Sequence, residues 1–226
     1  MKQLTHLAAV AALTAAFATP ALAADPDGAV QLKLLGSAVL PDGKITSIDK
    51  NVIGLPAGSQ TRASDNVVPT IAAEYYFTPN VSVETICCLT QHHISGAGAI
   101  SGTAIVDHVL VLPATLTLKY HVGSGNTVRP YVGAGPSVFF YMGEKPGATT
   151  AALGGTSLHL DNKVGFAVQA GVDVPVGGQG FGVSLDAKRY FMNTTLHVFN
   201  AGGTEVLTTQ HKLDPWVLSA GLYARF

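Results

Sequence analysis

From about residue 29 to the C-terminal Phe226, apolar positions alternate with polar or small ones at a period of two. That is the period of a strand, whose successive side chains point to opposite faces. In WVLSAGLYARF, Trp216, Leu218, Ala220, Leu222, Ala224 and Phe226 share one face; Val217, Ser219, Gly221, Tyr223 and Arg225 share the other. KVGFAVQAGVDV (163–174) and FGVSLDAKRY (181–190) read the same way. Eight such segments lie near 29–39, 67–77, 80–94, 108–121, 128–141, 163–176, 180–191 and 214–226. Their connections alternate in length. TPN, VGSGNT and GGQ are short, whereas 40–66, 95–107, 142–162 and 192–213 are long. This layout predicts an all-β chain, an eight-stranded antiparallel up-and-down transmembrane β-barrel with four long extracellular loops and three short periplasmic turns. An even strand number places both termini on the periplasmic side. In the last long loop, TLHVFN and TEVLTT flank AGG and predict a projecting ribbon. Residues 44–64 show no period and read as a mobile surface loop.

Composition sharpens this picture. Of 226 residues only 12% are charged, against the usual ~25%, while 47% are hydrophobic and the mean hydropathy is +0.33. The net charge of −1 offers no basic field for nucleic acid. The N-terminal MKQLTHLAAVAALTAAFATPALA has one lysine, a short apolar run and a small-x-small end, the pattern of a signal peptide over 1–23. The expected mature domain is then 24–226. No other stretch is long and apolar enough for a spanning helix, and a closed barrel is the remaining way to cross lipid. The expected location is the outer membrane of a Gram-negative bacterium.

LPATLTLKYH (112–121), VRPYVGAGPS (128–137), QAGVDV (169–174) and LDPWVLSAGLYARF (213–226), in this order and with the eight-segment layout, resemble the OmpW family of small outer-membrane proteins. The resemblance spans nearly the whole mature chain. It implies an eight-stranded barrel, a narrow apolar channel and passage of small hydrophobic compounds. Phe226 is expected to serve as the assembly signal read by the barrel-assembly machinery. Outer-membrane lipid, lipopolysaccharide and a small hydrophobic ligand are the other expected partners, and no cofactor is expected.

Eight strands enclose a narrow lumen that side chains can largely fill. Parity and strand direction place Lys33, Glu74, Glu84, Lys119, Arg129, Asp173, Asp186 and Arg225 inward near the periplasmic end. Charges of both signs there predict a mutually paired plug. Leu35, Val39, Val68, Val109, Val111, Pro113 and Phe139 fall inward in the outer half and predict an apolar funnel open to the outside. Pro69, Pro113 and Pro136 interrupt strands. Proline cannot donate to the ladder, so bulges or lost pairing are expected there. Two readings stand side by side: a lateral gap for an apolar molecule, or curvature alone.

The stretch ETICCLTQHH (84–93) places two cysteines near two histidines. On a strand, however, Cys87 faces lipid and Cys88 the lumen, and Cys88 and His92 stand ~13 Å apart. No metal site and no disulfide between the two cysteines are expected. Arg189 shares the lipid-facing parity near the outer rim, where lipopolysaccharide phosphate or simple snorkelling would suit it. His159, His197 and His211 lie in or beside loops. A barrel-borne lipid-modifying enzyme and a soluble lipocalin-like carrier are the alternative functions, but no nucleophile motif surrounds any histidine.

Overall fold

The computed structural model describes residues 28–123, 127–177 and 180–226. The expected signal peptide lies outside these residues. Fourteen strands are found among them: β1 (Val30–Leu40), β2 (Lys44–Asn51), β3 (Ser59–Ala63), β4 (Asn66–Tyr76), β5 (Val81–Cys87), β6 (Thr90–Gly98), β7 (Ala104–His121), β8 (Arg129–Pro146), β9 (Ser157–Leu160), β10 (Lys163–Pro175), β11 (Phe181–Phe191), β12 (Asn193–Phe199), β13 (Glu205–Lys212) and β14 (Trp216–Arg225). A one-turn helix, α1 (Ala148–Ala152), precedes β9.

Eight staves close into an antiparallel barrel in the order β1, β4, β5 with β6, β7, β8, β10, β11 and β14. The first and last staves pair directly, with Gln31 opposite Arg225 and Leu40 opposite Trp216. Closure removes the free edges of the first and last staves, which is what lipid demands of strands. Alternation sorts the side chains as expected. Leu32, Leu34, Ile71, Leu116, Leu118, Val132, Phe166, Leu185, Leu218 and Leu222 are exposed on the outside, while Gln31, Lys33, Glu74, Glu84, Lys119 and Asp173 are buried inside. Tyr75, Phe77, Tyr120 and Trp216 are exposed aromatics on the same outer surface.

The long connections carry more structure than their composition suggests. Residues 44–64, expected as a mobile loop, contain β2 and β3. The expected ribbon is present as β12 and β13, and β2 and β9 join it in a four-stranded sheet of order β2-β13-β12-β9. Neighbouring strands from three separate loops had to be brought together for this, and no local pattern reports such a meeting. The sheet's inner face presents Leu158, Leu160, Leu196, Val198 and Leu207 to the apolar interior. It forms a cap over the long-loop end of the barrel.

Ladder pairing fails where the prolines sit. The third stave breaks between β5 and β6, at Cys88 and Leu89. The register is the same on both sides of the break, with Ile86 opposite Thr115 and Thr90 opposite Val111, so Cys88 falls opposite Pro113. On the other side, β4 pairs with β5 only as far as Ile71 opposite Cys87. Beyond that point Pro69 follows, still paired to β1 through Gly36. Pro69 and Pro113 therefore flank one break. Pro136 stays paired to β10 through Phe166, while the β7–β8 ladder skips from Thr115–Ser137 to Leu118–Ala134. Each proline leaves one ladder intact and interrupts the other, without a register shift at that point.

Candidate functional site

The lumen is filled in two layers. Near the short-turn end, inward positions of six staves meet in an ionic network centred on Glu84. Its carboxylate receives Lys33 Nζ at 3.0 Å and Lys119 Nζ at 2.9 Å on one oxygen, and Lys188 Nζ at 3.0 Å on the other. Lys33 and Lys119 also reach Glu74 Oε2, at 2.9 and 2.8 Å. Lys188 bonds Asp186 at 2.7 Å, and Asp186 accepts from the Tyr131 hydroxyl at 2.8 Å. Asp173 accepts from Gln31 and Ser184. His121 Nε2 stands 2.7 Å from Glu74. The Tyr131 ring lies under Lys119, with the ammonium 3.7 Å from its centroid. A Cβ on Gly171 would stand 2.4 Å from that ring, so glycine is what lets the tyrosine lie across the lumen. Nearly every charge in the layer is buried and has opposite charge or hydrogen-bond partners, the condition under which buried ions are tolerated.

Six of the eight expected plug residues converge here. Arg129 and Arg225 are corrections to mutual pairing. Arg129 donates to the Pro79 carbonyl, and Arg225 donates to Gln31 Oε1 and the Tyr76 hydroxyl. They close the lower rim over the Tyr76 ring rather than pairing with the carboxylates. Lys188, His121, Gln31 and Tyr131 were missed. The signal was present: Lys188 shares its face with Ser184 and Asp186, and His121 shares its face with Lys119.

Above the plug lies an apolar chamber lined by Val39, Ile86, Cys88, Thr90, His92, Val109, Val111, Pro113, Phe139, Tyr141, Tyr190 and Val217, with Pro41, Ala63, Ile94, Leu160, Leu213 and Pro215 around its top. Five of the seven expected lining residues are among these. Leu35 and Val68 are buried and point inward, but they do not reach the void. The open funnel is also corrected, because cap residues such as Leu160 and Leu213 narrow the space from above. The void holds about 50 Å³. An apolar cavity that accommodates benzene is ~150 Å³, so a guest requires the walls to move.

The chamber abuts the broken stave through Ile86, Cys88 and Thr90, and the facing β7 through Pro113. On the lipid side, Thr85, Ala114, Leu116, Pro136 and Val138 line a depression beside the second interruption. β7 is thus held loosely on both flanks, by the Cys88–Pro113 break on one side and the Pro136 break on the other. Both cysteines are free; Cys87 is exposed and Cys88 buried. Arg189 lies on the outer face, directly opposite Trp216. It packs over Trp216 at 5.4 Å and donates to the Asp214 carbonyl.

In the cap, His211 is buried between Thr209, whose hydroxyl oxygen is 2.7 Å from Nε2, and Thr61, 3.2 Å from Nδ1. Thr61 spends its own proton on the Gly43 carbonyl at 2.6 Å. It can then only accept from Nδ1–H, which leaves Nε2 to accept from Thr209. Burial pushes the His211 imidazole down to about 4.

The model of the OmpW family matches residues 26–226. The chain is 33% identical over 184 residues to an uncharacterized outer-membrane protein, y4mB, of Sinorhizobium fredii, covering 81% of this chain and 76% of that one. It is 28% identical over 169 residues to outer membrane protein W of Vibrio cholerae, covering 73% and 76%. Among solved structures, it is similar to outer membrane protein OprG of Pseudomonas aeruginosa, with a TM-score of 0.78 at 21% identity over 89% of this chain and 97% of that one. The outer membrane protein AlkL, solved in lipid bilayers, gives a TM-score of 0.70 at 24% identity over 90% and 92%.

Proposed function

The chain belongs to the OmpW family of outer-membrane proteins, and from that premise we propose that its apolar chamber takes in small hydrophobic molecules at the cell surface and passes them sideways into the membrane. In this reading the long loops and cap face outward and both termini face the periplasm. One observation carries it: the apolar chamber is sealed below by paired charges and adjoins a wall whose ladder is missing. A lipophile cannot cross the plug without stripping Glu84 and Glu74 of their lysines, a cost of several kcal/mol. The break beside Cys88 and Pro113 asks for no such loss.

The depression beside Pro136 supports the same exit, since it meets the hydrocarbon within one strand of the break. Phe226 is proposed as the assembly signal, and its backbone is already paired with Val30. A soluble carrier of the lipocalin kind would show polar residues outward, and here the outward face is Leu, Val, Ile and Phe.

The test is uptake of the apolar dye N-phenylnaphthylamine by cells making the protein. Expression should speed uptake, and Val111→Trp, which fills the chamber, should return it to the rate of cells lacking the protein. Equal uptake with and without the protein sinks the proposal.

A further inference from the structure

The outer face of the cap, away from the chamber, carries a cluster that lipophile passage does not use. β9 and β12 run antiparallel with His159 directly opposite His197. Their inner-face neighbours Leu158, Leu160, Leu196 and Val198 are buried, so both histidines face outward. Asp161 directly follows β9, its N–H bonds the Thr195 carbonyl, and its carboxylate lies beside His197 on the same side. A His-x-Asp pair at the end of one strand and a histidine opposite it on the next place three candidate ligands on one patch. Directly opposed Cβ atoms lie ~5 Å apart.

The hydrogen bonding of His197 points to a cation. Its Nδ1 is 2.5 Å from Glu205 Oε1. A carboxylate accepts, so Nδ1 carries a proton, and Nε2 is the nitrogen left for a second proton or a metal ion. Nε2 stands 3.4 Å from Asp161 Oδ1. With a carboxylate at each nitrogen, the space at Nε2 suits a positive group, either a ring proton or a metal ion. Donors on a tetrahedral zinc ion, at bond lengths of ~2.1 Å, stand about 3.4 Å apart. The second Asp161 oxygen is held by Lys163 at 3.0 Å, and the second Glu205 oxygen has Lys50 at 3.8 Å. His159 repeats the pattern, with Nδ1 3.5 Å from Glu144 and Nε2 uncommitted. A carboxylate behind each ring nitrogen is the usual support of a metal-binding histidine.

We propose that His159, Asp161 and His197 form a surface site for a zinc-class divalent cation, with Glu205 and Glu144 orienting the two rings. As the side chains stand, His159 turns toward Glu144, and no three such donors among the described residues converge on one point. The His159 side chain is 58% exposed and can swing over. An ion there ties β9, a four-residue strand at the edge of the cap sheet, to β12, and Leu160 on β9's other face lines the chamber. The competing explanation is a proton on Nε2, and zinc binding separates the two.

The experiment is calorimetric titration of Zn²⁺ into the full barrel in detergent, with heat-modifiable gel migration confirming that each variant is folded. One ion per chain is expected. His197→Ala, His159→Gln and Asp161→Asn should each weaken it by roughly tenfold or more, and Glu205→Gln by about tenfold. His93 and His108, a second outward-placed pair on β6 and β7 that lacks this carboxylate support, serve as the control. Their joint replacement by Ala should leave affinity unchanged. No stoichiometric binding by the unaltered protein, full affinity in His197→Ala, or loss in the control pair each overturns the site.

Discussion

Glu84 and Lys188 meet at 3.0 Å from staves on opposite sides of the barrel, β5 and β11. The contact spans the lumen, so the plug is a cross-brace as well as a seal. Glu84→Gln removes the anion shared by three lysines and leaves them crowded. Breaking a buried pair of this kind costs about 3–5 kcal/mol. The temperature at which the folded gel band converts to the unfolded one should fall clearly. Lys188→Met should restore part of the loss in the double variant, because the two changes act on one contact. Additive losses would show that Lys188 and Glu84 are not coupled.

Pro113→Val returns an N–H opposite Cys88, and Pro69→Val returns one on the other flank. If the missing ladder is the exit, closing it should protect the Cys88–Leu89 amides from hydrogen exchange and slow dye uptake by roughly tenfold, worth about 1.4 kcal/mol in the barrier. Greater amide protection with unchanged uptake would assign the prolines to curvature alone.

Cys87 and Cys88 sit on opposite faces of one wall. A lipid-soluble maleimide should label Cys87 readily in the barrel. Cys88 should react only with a reagent small and apolar enough to enter the chamber, and Val111→Trp should block it. Equal labelling of Cys88 by a bulky charged maleimide would contradict the placement.

His211 links cap stability to pH. Its folded value, about 4, lies below the ordinary ~6.5, so the unfolded cap takes up the proton first. The stabilisation is complete above about 6.5 and is lost as the pH falls toward 4, by about 3 kcal/mol at most. Protonation at Nε2 also sets an N–H against the Thr209 hydroxyl that had donated to it. Hydrogen exchange of the β13 amides should accelerate over that interval, and His211→Gln should flatten the response. A pH-independent cap would remove His211 from the account.

Strand positions, inward faces and the two-layer lumen were legible because alternation acts locally and each inward residue is two places from the next. Lys33, Glu74, Glu84, Lys119, Asp173 and Asp186 could be placed by parity and height alone. The partners of Arg129 and Arg225 could not, because both sit at the rim, where a carbonyl, an amide or a ring competes with a distant carboxylate. In the cap the β12–β13 ribbon was legible as a hairpin pattern, but the sheet it joins was not, for a different reason. β2 and β9 come from loops far from that ribbon in the chain, and neither has a period that announces its place beside it.

By itself, the sequence determined that the chain closes into a wall with an apolar outside and a mixed inside, since a period of two with few charges has no other resting place in lipid. It also split Cys87 from Cys88. The tertiary structure alone decided that Pro69 and Pro113 flank one break, that Glu84 gathers three lysines, and that His159 stands opposite His197. Each of these depends on register between strands distant in sequence, and register is set by closure of the whole barrel and cap rather than by any one segment.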